Sequence, residues 1–179
     1  SDNYWELLFL IDFMDNNELI MNRAIELALE AEKLGEVPVG AVIVDDNFNI
    51  VAEGFNRTIT DHDPSAHAEI VALRKAGIKL SNYRLVDLSI YVTLEPCCMC
   101  VGALIHSRIK NVYFGAYDKK TGACSSVFSL SDDIRHNHHL NVKGGILENE
   151  VLEDDGNILQ RYWINVPICV KKLSKKYNN

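Results

Sequence analysis

Asp63-Pro64-Ser65-Ala66-His67-Ala68-Glu69 and Thr93-Leu94-Glu95-Pro96-Cys97-Cys98-Met99-Cys100 are built alike. Each passes through a proline into a helical stretch, and each carries reactive side chains where that helix should begin. Between them they offer one imidazole, two thiols at a CxxC spacing and a carboxylate. Asp63 as N-cap with Pro64 in the first helical position predicts a helix that carries His67 and Glu69 and runs to about 76–77. The apolar run 88–94, followed by Glu95-Pro96, predicts a buried strand and then a second helix over 97–106. Helix N-termini present unpaired N–H groups and the positive end of the dipole, so thiolates and carboxylates are favoured there.

Outward from these two stretches the chain alternates strand and helix. Ile20, Ala24, Leu27, Ala28, Ala31 and Leu34 recur at helical spacing over 17–34, with Asn16 or Asn17 as cap and Gly35 as stop. Strand patterns over 37–44 and 50–55 flank the turn residues Asp45-Asp46-Asn47, and 56–64 reads as a loop. A further strand is expected over 111–115, a polar loop over Asp118–Ala123, and a short strand over 140–142 before Gly144-Gly145. An initial hairpin followed by alternating elements predicts an α/β layer fold with a mixed sheet. No repeat or linker divides the chain, so residues 14–179 read as one domain. Residues 1–13 read as a tag scar or optional extension: Leu7 to Ile11 is apolar, but acidic residues surround it and no basic region precedes it.

The 179 residues are 47% hydrophobic and 24% charged, enough for one real core, and nothing in the sequence is long and apolar enough for a membrane span. A net charge of -7 excludes a generally basic nucleic-acid binder but leaves room for a local basic patch. The five cysteines are odd in number and three are bunched at 97–100, which fits metal ligation in a reducing, cytoplasmic compartment better than a disulfide framework.

His67, Cys97 and Cys100 make three zinc ligands, and a site with three protein ligands keeps its fourth position for water, as catalytic zinc sites do. Cys97 and Cys100 are three apart and share a helix face, while Cys98 points elsewhere and is expected to pack. His67 and Glu69, two apart, do not share a face of a helix. They converge only if the helix end lies between or beside them. Glu69 would then take a proton from the metal's water, hydroxide would attack an amidine-like ring carbon, and the proton would pass to the departing ammonia.

The H-x-E…P-C-x-x-C pattern is the signature of zinc nucleobase deaminases. Asp63–Ile70 and Thr93–Leu104 resemble the zinc-site helices of bacterial tRNA adenosine deaminases, within the cytidine deaminase superfamily. Glu36–Val42, Arg108-Ile109 and Gly115–Ala123 are similar to further segments of that family, and the resemblance covers residues 18 to about 147. It implies a three-layer α/β/α fold with a five-stranded mixed sheet, one Zn2+ per subunit, a homodimer, and conversion of the wobble adenosine of a tRNA anticodon stem-loop to inosine by attack at C6. By position it also implies substrate contacts at Asn56, Ala68, Asp118, Lys120 and Asn137. From composition alone Asn56 reads equally as a strand-end asparagine, and Asp118 and Lys120 as a solvated turn. His136, His138 and His139 lack a carboxylate or cysteine at ligand spacing and do not make a second metal site.

Beyond 147 the chain departs from the family: Tyr162-Trp163 stands where paired phenylalanines are expected, Pro167 ends any helix, and Lys171, Lys172, Lys175 and Lys176 form a basic tail. With Arg57, Lys119 and Lys120 that tail supplies the positive charge an acidic chain needs to hold RNA. Two other functions remain open on these residues. A guanine or other free-base or nucleoside deaminase would use the same metal site. A non-catalytic zinc-binding interaction module would need a fourth protein ligand, which the pattern does not supply.

Overall fold

The structure, a computed structural model, describes residues 15–148 and residue 151. Five strands form one mixed sheet in the order β2-β1-β3-β4-β5. The strands are β1 Gly40–Val44, β2 Ile50–Phe55, β3 Ser89–Leu94, β4 Asn111–Ala116 and β5 Asn141–Lys143. β1 pairs antiparallel with β2 and β3, whereas β3–β4 and β4–β5 are parallel. The helices are α1 Asn16–Lys33, α2 Ala68–Leu80 and α3 Cys98–His106, with a 3-10 turn at Leu130–Asp132.

Alternation along the central strands sorts the layers. Val42, Val44 and Tyr91 point to one face and pack with Ile20, Met21, Ala24 and Leu27 of α1. Ala41, Ile43, Ile90 and Val92 point to the other face, against Ala68, Ala72 and Ala76 of α2 and Val101, Leu104 and Ile105 of α3. All five residues of β1 are buried, as a strand covered on both faces requires. The result is the three-layer α/β/α arrangement. Among the described residues no helix is long and apolar enough to cross a membrane.

Several element boundaries differ from the sequence reading, each for a local reason. The cap of α1 is Asp15, not Asn16 or Asn17: its carboxylate accepts the Glu18 N–H at 2.9 Å. β1 starts at Gly40 rather than 37, because Pro38 has no N–H and Val39 N–H turns back to the Val37 carbonyl at 2.9 Å. The largest correction is at Asp63-Pro64, which does not begin α2. Asp63 Oδ1 accepts the Ser65 N–H and hydroxyl at 2.8 and 2.7 Å, and the Ala66 N–H bonds the Asp63 carbonyl at 3.1 Å. The aspartate closes a turn instead of a helix end, and the helix starts four residues later, with His67 as N-cap, and runs on to Leu80. The expectations for residues 1–13, for Tyr162-Trp163 and Pro167, and for the lysine tail fall outside the described residues.

Two glycines seat the helices on the sheet. A Cβ on Gly40 would lie 2.1 Å from the Ala24 carbonyl oxygen of α1, and one on Gly54 would lie 2.5 Å from Ala68 O and 2.7 Å from Ala72 N of α2. The obstructing atoms are backbone, so relief requires a helix to move. Gly54→Ala should therefore cost about 2 kcal/mol or more in urea denaturation. Gly102→Ala, inside α3 with nothing within 4 Å, should be neutral or stabilising. Equal midpoints for the two variants would contradict this packing.

Candidate metal centre and active site

His67 and Cys97 occupy equivalent places. Each is the N-cap of its helix, in extended backbone, with no side-chain capping bond: φ -69, ψ 156 for His67 and φ -77, ψ 173 for Cys97. Their carbonyls accept the first helical hydrogen bonds, from Val71 and Val101, both at 2.9 Å. Their side chains are thus free to leave the helix ends and meet. Because His67 stands before α2 and Glu69 in its first turn, the two side chains converge without having to share a helical face. The side-chain oxygen of Asn56 supplies the missing cap, accepting the Ala68 N–H at 2.8 Å.

One nitrogen and two sulfurs gather there, all within 4.8 Å of one another. Zinc bonds of about 2.0–2.1 Å to nitrogen and about 2.3 Å to sulfur, at a tetrahedral angle, set an N···S edge of about 3.6 Å. His67 Nδ1 lies 3.6 Å from Cys100 Sγ and 3.7 Å from Cys97 Sγ. The donor set therefore fits zinc in both chemistry and spacing. A bond from Cys100 holds Cys97 down at about 4, and the same bond together with burial pushes Cys100 up. The hydrogen bond to Cys97 raises His67, against the lowering effect of burial. Zinc needs both thiols deprotonated and the imidazole neutral, so it would displace the protons these groups share.

The ligands open onto a cleft of about 210 Å³ that Asn56, Thr58, Glu69, Glu95, Asp118 and Thr121 help to line. Two buried carboxylates face it, and their hydrogen bonds separate them. Glu95 accepts from the N–H groups of Asp118, Cys124, Ser125 and Ser126 at 2.8–3.0 Å, and from the Ser126 hydroxyl. Burial alone would raise it, but these donors hold it below the usual carboxylate range. Five donors leave it no room to exchange a proton. Glu69 is 4% exposed and burial raises its pKa, although its own backbone N–H and His67 oppose that. A carboxylate that favours the protonated form beside a metal site is suited to carrying a proton.

The other expected site residues are placed unevenly. Asn56 and Asp118 line the cleft, while Ala68 is fully buried with its N–H committed to Asn56. Lys120 is exposed on the loop behind Asp118, whose Oδ1 accepts its N–H at 2.8 Å. Asn137 is exposed, is not a lining residue of the cleft, and accepts a bond from Arg108 at 2.8 Å. Arg57 is paired with Asp61 at 2.8 Å, so its charge is already matched. Cys98 is exposed, not packed. His136 and His138 each bond a backbone carbonyl, of Leu130 and Ile109, and so serve the fold. Thr58, Thr121 and the role of Glu95 escaped the sequence reading. An acidic residue set between an apolar strand and Pro96 was the available signal for a buried carboxylate.

Residues 14–116 match the cytidine and deoxycytidylate deaminase zinc-binding region. A tRNA-specific adenosine deaminase of Haemophilus influenzae is 52% identical over 81% of this chain and 84% of its own. A solved structure from work on A-to-I editing by tRNA:A34 deaminases at the wobble position of transfer RNA is 40% identical, covers 72% of this chain and 93% of that one, and has a TM-score of 0.69. The guanine deaminase of Bacillus subtilis is 42% identical but covers 62% of this chain and 69% of that one, at a TM-score of 0.54. A helix-cap histidine, two thiols and a buried glutamate in one cleft, together with these likenesses along most of the chain, place it in the family of tRNA-specific adenosine deaminases.

Proposed function

We infer that this protein deaminates adenosine to inosine at the wobble position of a tRNA, with the anticodon stem-loop as the bound RNA. The observation that carries the reading is the convergence of His67, Cys97 and Cys100 at zinc spacing beside a buried glutamate whose pKa burial raises.

His67, Cys97 and Cys100 would hold the zinc. When bound, the ion supplies Lewis acidity and brings the pKa of a water to about 7. Glu69 accepts the first proton that the attacking water loses and delivers it to the ring nitrogen, where it stays; it then takes the second proton, from the new C6 hydroxyl, and delivers it to the exocyclic amine. The C6–N bond breaks, ammonia leaves with its electron pair, and a carbonyl remains. Asn56 Oδ1 is held by Ala68, so Nδ2, which makes no hydrogen bond to the described residues, is the donor offered to the base. Asp118 and Thr121 shape the opposite wall. Adenine in a duplex is stacked out of reach, whereas an anticodon loop can splay a base into such a cleft at low cost. Exposed Lys119 and Lys120 lie beside that wall, where phosphates would pass. The setting is cytoplasmic, where tRNA and reduced thiols coexist.

The working form is a homodimer. A shallow groove of about 640 Å³ lies over α2 and α3, lined by Ile70, Leu73, Ile78, Tyr83 and Ala103. Ile78 in α2 and Tyr83 just beyond its end are 81% and 71% exposed, an apolar patch that a partner would cover. Those same helices carry the metal ligands, so a second copy seated there would brace the site.

With an adenosine-34 stem-loop, free adenosine and guanine as substrates, the zinc-loaded protein should form inosine in the RNA and act poorly on the free compounds. Glu69→Ala should keep its zinc and lose deamination by at least about 100-fold. Rapid turnover of guanine without inosine in the RNA would transfer the assignment to the free-base class, that of the Bacillus subtilis guanine deaminase. Sedimentation equilibrium should give twice the chain mass, and Ile78→Glu combined with Tyr83→Glu should give the chain mass. A parent that sediments as a monomer would refute the dimer.

A further inference from the structure

We propose that Glu95 is a positioning residue that sets the substrate-facing wall of the cleft through the 118–126 segment. It rests on the RNA-substrate reading above. Glu95 is only 2% exposed, and it stands between β3 and the first zinc-site thiol. Its N–H is fixed to the Ala116 carbonyl of β4 at 2.9 Å. Its carboxylate then gathers both ends of one segment. Oε2 takes the Asp118 N–H at 3.0 Å and the Ser126 hydroxyl, and Oε1 takes the N–H groups of Cys124, Ser125 and Ser126 at 3.0, 2.8 and 3.0 Å. Successive backbone N–H groups that converge on one anion form a nest, here filled by a side chain of the protein itself.

The segment is drawn so closely over the carboxylate that only glycine fits at 122. A Cβ there would lie 2.5 Å from Glu95 Cδ and Oε2, and 2.5 Å from the Asp118 carbonyl oxygen. The closed segment presents its own groups outward. Asp118 Oδ1 and Oδ2 accept the Lys120 N–H at 2.8 Å and the Thr121 hydroxyl at 2.6 Å, and Asp118 and Thr121 face the cleft. The side chains of the zinc ligands and Glu69 take part in none of these bonds, although the segment also meets the backbone beside Cys97, where Ala123 N–H donates to the Pro96 carbonyl at 2.8 Å and Gly122 pairs with Cys97. Glu95 thus acts directly on the wall and reaches the metal ligands only through that backbone pairing, which is why zinc content is measured beside the kinetics. A glutamine cannot replace it, because an amide brings donors to a place where five donors already point.

The test measures kcat and KM on the adenosine-34 stem-loop, with zinc content and melting temperature, for the parent, Glu95→Gln and Ser126→Ala. Glu95→Gln should raise KM about tenfold, the size expected when buried N–H groups lose their acceptor, while kcat per bound zinc changes by less than about threefold. Ser126→Ala removes one hydroxyl and should raise KM about threefold. An anchor with only a structural role would lower melting temperature and active fraction, hence kcat, and leave KM unchanged. That result would overturn the proposal. Should Glu95→Gln not fold, Ser126→Ala decides, and a KM equal to the parent's overturns it. A parent inactive on the stem-loop would instead refute the RNA reading.

Discussion

His67 and the two thiols must reach a common point from segments thirty residues apart, and that requirement governs the layer of helices on one face of the sheet. It is met by starting two helices at residues that do not cap them. His67 and Cys97 spend no side-chain bond on their own helices, a choice that costs a helix about 1 kcal/mol against serine or aspartate. α2 recovers part of that through Asn56, which caps it from the end of β2. Gly54 lets the first turn of α2 come down onto that strand, where a Cβ would meet Ala68 O and Ala72 N. The sheet order, the bare glycine and the borrowed cap serve one convergence.

Among the described residues three acidic side chains are buried, and their surroundings give them different work. Glu36, 0% exposed, accepts from Thr58, Ile59 and Thr60 and so fixes the loop after β2 that forms one wall of the cleft. Glu95 fixes the other wall. Glu69 lies between them near the metal ligands with fewer donors than Glu95 has, and burial outweighs the opposing effects of its own backbone N–H, His67 and Cys100. Burial costs each of them hydration, and for Glu95 the donors outweigh that cost whereas for Glu69 they do not.

The chemistry was legible in the sequence because it is local. CxxC after a proline and H-x-E at a helix start fix residue types and spacing within a few positions, and the alternation of strands and helices fixed the layer class. Asp63-Pro64 misled on the helix start because an aspartate that closes a turn and one that caps a helix look alike until its partner, Ser65, is known. The sequence reading left the purpose of Glu95 hidden for the opposite reason: its donors lie 23 to 31 residues away, and no short pattern joins them. Cys98 was expected to pack, but a helix-start position beside a ligand faces solvent here.

Zinc K-edge X-ray absorption on the loaded protein tests the central claim most directly. Two sulfurs at about 2.3 Å, one imidazole nitrogen at about 2.0–2.1 Å and one exchangeable oxygen are the predicted shell. A third sulfur, which would enlist Cys98 or Cys124, or a fourth protein ligand that leaves no exchangeable position, would contradict a catalytic site built from His67, Cys97 and Cys100.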